Sequence, residues 1–305
     1  MEMKSFRPAF VDRTLHSVKQ QRGVGLSVLL VLLLMFPVNS GWAMGTVLEK
    51  TVCGIKEPVV FWLWSSLAGS PKPARVSDLS NAEPVAFSTT DDRILRGYQL
   101  KAIPSKREPT ARARGYLLVA QGNAMLADQI LGSFMPFAKA GIDVYVFDYR
   151  GYGQSTGKRR LKAIVNDYRE IIAHLDSQRY SVPLLYGMSF GGIVLLNALK
   201  GMTEDRRVVI DSTPSRLSDY GCPQAYDPVM NLPKDASNLL FIVGLRDHVV
   251  KEERSEELVG LAKVQGATVI VDPDMAHPFM DQNRSVHTRR IDTVKSFLLK
   301  EKIME

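Results

Sequence analysis

Val182-Pro-Leu-Leu-Tyr186, Gly187-Met-Ser189-Phe-Gly191 and Gly192-Ile-Val-Leu-Leu-Asn-Ala-Leu-Lys200 follow one another without a break. The first run is short and apolar, as a buried strand is. The last is a helix with small residues at its start. Between them a serine is flanked by glycines, the pattern of a strand–turn–helix elbow that lifts a nucleophile out of the chain. The turn is tight enough that a side chain at either flanking position would clash, so glycine is needed there. Ser189 would stand at a helix N-terminus, where free N–H groups and the positive end of the dipole favour developing negative charge.

A short pattern also arises by chance as a plain glycine-rich turn, so its meaning depends on the residues downstream. Asn238-Leu-Leu-Phe-Ile-Val243 is a second strand-like run, and Gly244-Leu-Arg-Asp247 comes directly after it. Ala267-Thr-Val-Ile-Val271 is another, followed by the turn-rich Asp272-Pro-Asp-Met-Ala-His277-Pro and a helix expected over 285–300. Serine, acid and histidine thus come in that order, each just past a strand end. In this arrangement His277 takes and returns the Ser189 proton, while Asp247 fixes the imidazole tautomer. Asp211, which ends Arg207-Val-Val-Ile-Asp211, is a rival acid. Of five histidines, His16 precedes the apolar run Val24–Val38, His174 falls in a helix, His248 adjoins the acid and His287 sits in or near the last helix, where an exposed histidine is expected.

Acyl transfer also needs donors aimed at an oxyanion. The N–H of Phe190 is one. The strand Gly115-Tyr-Leu-Leu-Val-Ala120 runs into Gln121-Gly-Asn123-Ala124, where Gly122 allows close approach and Asn123 offers a second N–H. Asp143-Val-Tyr-Val-Phe147 leads into Asp148-Tyr-Arg-Gly-Tyr-Gly-Gln-Ser-Thr-Gly157, a loop that Asp148 and Arg150 are expected to hold together. It lacks the Gly-Lys-Ser/Thr ending of a phosphate-binding loop.

With these stretches and Val209-Ile-Asp-Ser-Thr213, residues 83–300 resemble the α/β-hydrolase family. The closer likeness is to exported or N-terminally anchored serine hydrolases with an Asp-Tyr-Arg-Gly-Tyr/Phe-Gly-x-Ser-x-Gly loop. The resemblance implies an α/β fold with an eight-stranded, mostly parallel sheet, flanking helices and a short cap loop. It carries over Ser189 as nucleophile, Asp247 as acid and His277 as base, and needs no cofactor. Relatives usually have His-Gly-Asn-Ala-Gly at the oxyanion loop; here Gln121 replaces the histidine and Met125 the last glycine.

The 305 residues, 45% of them apolar, provide for one large core plus an N-terminal extension. Residues 1–23 carry a net +3 from five basic and two acidic side chains, and Val24–Val38 is an apolar run of fifteen. Gly41 and Ala43 follow at small-x-small spacing. These are the parts of a signal peptide, and the run is short for a bilayer span of about 20 residues. Residues 1–43 therefore read as a cleaved signal or a retained anchor, with the catalytic domain on the far side of the membrane in either case. Residues 44–82 read as an extension and linker, and 83–305 as the hydrolase domain. Within the extension, residues 59–69 hold Trp62 and Trp64 in an apolar stretch that suits either the core or a lipid headgroup region.

Cys53 and Cys222 are the two cysteines, and export permits a bridge between them, although spacing does not decide it. Two cysteines and scattered histidines make no metal-ligand spacing. The overall +7 is spread in brief clusters, which argues against nucleic acid as a partner and leaves weak attraction to anionic lipid open. The 26 residues Ser212–Ser237, with four prolines, are too short for a large helical lid. A fairly open site is expected, suited to small acyl substrates or a lipid-like chain. The activity expected is hydrolysis of carboxylic esters or thioesters. Amide hydrolysis by the same groups, or a catalytically silent binding fold, are the alternatives.

Overall fold

The apolar runs assemble into one sheet. In the computed structural model, residues 52–104, 112–178, 180–202 and 206–300 are described. The export or anchor segment 1–43 lies outside the described residues. The elements in chain order are α1 (Glu57–Leu67), β1 (Ala82–Ser88), β2 (Ile94–Leu100), β3 (Gly115–Ala120), α2 (Ala127–Ile130), α3 (Met135–Lys139), β4 (Ile142–Phe147), α4 (Leu161–Asp176), β5 (Val182–Met188), α5 (Phe190–Ala198), β6 (Arg207–Asp211), β7 (Leu239–Gly244), α6 (Glu252–Val264), β8 (Thr268–Asp272) and α7 (Arg284–Leu299). The strand order is β1-β2-β4-β3-β5-β6-β7-β8. β1 and β2 run antiparallel, and all pairs from β4 to β8 are parallel.

β3 and β7 are buried at every residue, as parallel strands covered on both faces must be, which is why they read as unbroken apolar runs. Alternation along each strand separates two core layers. Tyr116, Leu118 and Ala120 face a layer shared with α4, α5, α6 and Phe61 of α1. Leu117 and Val119 face a layer shared with α2, α3 and α7. α5 is buried all round and starts at Phe190, ahead of the apolar run that predicted it.

The extension is built into the domain. α1 buries Phe61 and Ser65 against the core but leaves Val59 63% and Trp62 56% exposed. Cys53 and Cys222 form a disulfide, and Val52 N donates to Tyr220 O at 2.9 Å. Glu57 accepts from Leu161 N at 2.8 Å. The stretch read as a linker is also tied down. Lys72 N and Arg75 Nη1 donate to Asp128 Oδ2 at 2.7 and 2.9 Å. Residues 212–237 form three short 3-10 turns and no longer helix. Among the described residues no helix is long and apolar enough to cross a membrane.

Candidate active site

Ser189 sits at the junction of β5 and α5 with φ 53° and ψ −117°, a strained backbone for a residue with a Cβ, and one that persists only when neighbours hold it. Those neighbours are specific. Ser189 N donates to Asp211 O at 2.8 Å, and Ser189 O accepts from Gly192 N at 3.0 Å and Thr213 Oγ1 at 3.1 Å. The glycines are required by close approach. A Cβ on Gly191 would lie 1.9 Å from Ala120 O, and one on Gly187 would lie 2.8 Å from Gly191 O.

The same packing sets the elbow against the end of β3. A Cβ at Gly122 would lie 3.9 Å from Ser189 Cβ, so the Gln121–Ala124 loop borders the serine. Phe190 is the first residue of α5, where backbone N–H groups have no intrahelical acceptor. Asn123 Oδ1 accepts from Ala124 N at 3.0 Å and from Tyr152 OH at 2.9 Å. That couples the loop to the Asp148–Gly157 loop beside it. Gln121 is fully buried; its carbonyl accepts from Tyr149 OH at 2.5 Å, while neither side-chain amide atom has a partner among the described residues.

Asp247 follows β7 and His277 follows β8. Nδ1 of His277 donates to Asp247 Oδ2 at 2.7 Å, and Asp247 Oδ1 accepts from Val249 N and Val250 N at 2.8 Å each. Burial pushes the Asp247 carboxyl up, but the His277 bond and charge and the two amides outweigh it and hold it below the usual carboxylate range. An ionised carboxylate only accepts; the imidazole proton therefore sits on Nδ1 and leaves Nε2 as the basic nitrogen. The loop bearing His277 folds back from β8 towards β5: Phe279 packs on Phe134 (6.5 Å between centroids), and Phe134 on Tyr186 of β5 (6.0 Å). Ser189 and His277 are both largely buried. Among the described residues, the direct bond of the imidazole to a carboxylate is to Asp247.

Asp211 is engaged elsewhere. It accepts from Arg290 Nη1 at 2.7 Å and from Tyr186 OH at 2.8 Å. His248 and His174 are exposed, and His287 is partly buried rather than exposed, bonded to Ser133 Oγ at 3.1 Å with its ring tilted against Phe279. In the loop after β4, Arg150 pairs with Asp91 and Asp167, and Asp148 accepts from Ala127 N at 2.7 Å. Both bind loops together, in line with the expectation from sequence. Among the described residues no cluster of three or more His, Cys, Asp or Glu could hold a metal.

Sequence reasoning missed the contribution of α1. Phe61 and Trp64 pack on Phe190, the residue after the serine, at 5.7 and 6.3 Å between centroids. Tyr149 meets Phe190 from another side at 5.5 Å. The apolar aromatic spacing of residues 59–69 was the available signal, but it does not say which strand end the helix covers.

Residues 111–234 match the Hydrolase_4 family, described as serine aminopeptidase, S33. The uncharacterised protein YfhR of Escherichia coli K12 is 30% identical over 244 residues, which cover 72% of this chain and 82% of that one. Among solved structures, an esterase of Pyrococcus furiosus (Pf2001) superposes with a TM-score of 0.59 at 20% identity, covering 76% of this chain and 96% of the other. XC6422 of Xanthomonas campestris, described as an α/β serine hydrolase without lid, superposes with a TM-score of 0.55 at 18% identity, covering 72% and 95%. At these identities the two structures share the fold.

Proposed function

This chain belongs to the α/β-hydrolase superfamily and is a hydrolase, and from that premise we propose that it cleaves carboxylic esters or thioesters by passing the acyl group through Ser189. The observation that carries the reading is the Asp247–His277 bond on loops at the same end of the sheet as a serine held at φ 53°. In the proposed reaction Ser189 Oγ adds to the acyl carbonyl carbon and its proton passes to His277 Nε2. The N–H groups of Phe190 and Asn123 receive the oxyanion. Collapse breaks the bond to the leaving oxygen or sulfur, which takes the proton from His277. Water then adds to the acyl-serine with His277 as base, and the acid is released as Ser189 regains its proton.

The Asp247 carboxylate stabilises the imidazolium formed in each half-reaction. The substrate class we infer is a small or lipid-like acyl compound, because the segment between β6 and β7, the place of a cap, forms only short 3-10 turns and no longer helix. A second reading, hydrolysis of an amide by the same groups, is favoured by the serine aminopeptidase description of the matching family.

We further infer that the domain works outside the cytoplasm, delivered by residues 1–43 and either released or held at the membrane by them. The Cys53–Cys222 bridge supports an oxidising compartment. N-terminal sequencing of the exported protein separates the two cases.

The test of the chemistry is labelling with a fluorophosphonate, wild type beside Ser189→Ala, followed by matched series of p-nitrophenyl esters and p-nitroanilides. Labelling and ester turnover in wild type alone are expected. A folded wild type that does not label would overturn the proposal. Turnover confined to the anilides would establish the amide reading in its place.

A further inference from the structure

A triad works only if its base is held at the right place, and His277 lies on a loop that has no regular structure of its own. We propose that Arg290 is a positioning residue that sets the His277 imidazole relative to Ser189, by clamping the histidine loop to the strand end that holds the serine; this rests on Ser189 acting as nucleophile and His277 as base.

The clamp has two arms. Arg290 lies on α7, and its side chain is 0% exposed. One arm of its guanidinium reaches the histidine loop: Nη2 donates to the carbonyl of Ala276, the residue before His277. The same face pairs with Asp281, Nε to Oδ2 at 3.3 Å and Nη2 to Oδ1 at 3.3 Å. Asp281 Oδ1 in turn accepts from Ala276 N at 2.8 Å, and His277 O accepts from Met280 N at 2.8 Å. Both polar groups of the Ala276 backbone are therefore fixed by the Arg290–Asp281 pair, and the turn 277–280 closes between them.

The other arm reaches the sheet. Nη1 donates to Asp211 Oδ1 at 2.7 Å, and Asp211 is also 0% exposed. Asp211 Oδ2 is held by Tyr186 OH from β5 at 2.8 Å. Its backbone carbonyl is the acceptor for Ser189 N at 2.8 Å. One connected path of hydrogen bonds thus runs from the backbone of Ser189, through Asp211 and Arg290, to the peptide group next to His277.

Arginine suits this place for a reason of shape. Its planar fork offers five donors in fixed directions and can serve Asp211, Asp281 and the Ala276 carbonyl together. Lysine keeps the charge on a point and cannot hold all three in one plane. The path also gives Asp211 its part: it is the anchor of the clamp, which accounts for a buried carboxylate at a strand end that makes its bonds to Arg290 and Tyr186.

A structural staple between α7 and the sheet would use the same bonds, so the test must read position rather than stability. Removing Arg290 outright would leave two buried carboxylates without the cation that neutralises them, and Arg290→Ala is therefore uninformative. The informative variants are Arg290→Lys and Asp281→Asn. The second keeps a carbonyl oxygen for Ala276 N and loses the charge that binds Arg290. Steady-state kinetics on a p-nitrophenyl ester are measured with the folded fraction taken from circular dichroism. The His277 Nδ1 proton, shared with Asp247, is followed by NMR.

Arg290→Lys is expected to lower kcat by about 10²-fold, the scale of an ångström-sized misplacement, with KM within about twofold and the Nδ1 proton resonance moved or broadened. Asp281→Asn is expected to act in the same direction by about tenfold. Folded variants with wild-type kcat and an unmoved resonance would overturn the clamp, as would a change in KM alone. If Arg290→Lys does not fold, Asp281→Asn decides. Ser189→Ala and His277→Ala run alongside. If they keep wild-type turnover, the assignment of nucleophile and base fails; if they abolish it while Asp281→Asn does not slow turnover, the clamp alone fails.

Discussion

Replacing Asp247 by asparagine changes one oxygen for one NH2 group and leaves the shape intact. Its effect follows from three bonds. Oδ1 accepts from the amides of Val249 and Val250, and Oδ2 accepts from His277 Nδ1. An asparagine has a single oxygen, and the two backbone amides compete for it with the imidazole. With the oxygen left on the amides, the NH2 group points at Nδ1 and donates to it. The imidazole proton is then driven to Nε2, the nitrogen that must be free to act as base. The loss expected in kcat is on the order of 10⁴, as for the same swap in other triads, or about 5 kcal/mol of transition-state stabilisation.

Asp211→Asn is the comparison. Asp211 bonds to Arg290 and Tyr186, so its loss should lower stability and, through the clamp, reduce kcat by no more than about tenfold. The assay is ester hydrolysis per folded molecule for both variants. Turnover by Asp247→Asn within tenfold of wild type, or a larger loss in Asp211→Asn, would refute the assignment of the acid.

Breaking the Cys53–Cys222 bridge should lower stability, because it closes a loop of 169 residues. Chain entropy puts this at about 5 kcal/mol, or roughly 10–20 °C in Tm for a domain of this size. Thermal melts of Cys53→Ser and of reduced wild type check it, and a shift below about 3 °C would mean that packing alone holds α1. Asp148 gives a pH dependence. Burial pushes its carboxyl up to about 7, with the Ala127 amide opposing and Asp128 adding to the rise. The folded value lies above the unfolded one of about 3.9, so the protonated form is favoured in the fold. Stability from this group is present below pH 4 and is lost as pH rises towards 7. Asp148→Asn should remove that loss and gain on wild type between pH 4 and 8, by at most about 4 kcal/mol. Equal pH profiles of Tm for the two proteins would contradict it.

What the sequence made legible was what repeats locally. Buried parallel strands are apolar at every position, so β3, β5, β6 and β7 stand out as runs, and a functional residue placed just past a strand end inherits that clarity. The proposed catalytic residues Ser189, Asp247 and His277 were found in this way. Partners fixed by distant chain do not. Asp211 and Asp247 look alike in sequence, each following an apolar run, and what separates them is Arg290, which lies 79 residues beyond Asp211. The Cys53–Cys222 pairing is of the same kind. Residues 59–69 were ambiguous for another reason: α1 is apolar on both sides, with Phe61 at 0% exposure and Val59 at 63%, so composition fits a core helix and a surface one equally. Gln121 was visible as a departure at the oxyanion loop, but the sequence could not show that its amide is buried without a partner among the described residues.

The position of α1 bears on whether the proposed site has a movable lid. A mobile lid needs an element that can leave the catalytic groups without unfolding. The segment between β6 and β7 is too short to be one, and α1, which packs against Phe190, is held at both ends. Its start is joined to the cap by the disulfide and the Val52–Tyr220 bond. Its first turn accepts from Leu161 N through Glu57, and beyond its last turn Ala68 O accepts from Gln129 Nε2 at 2.8 Å. Lifting it would also expose Phe61, which burial stabilises by about 2 kcal/mol or more. A helix so fixed acts as a wall. With Phe61 at 0% and Phe190 at 5% exposure, α1 and the elbow pack together beside Ser189. The described part of the N-terminal extension is thus packed into the domain next to the residue that follows the proposed nucleophile.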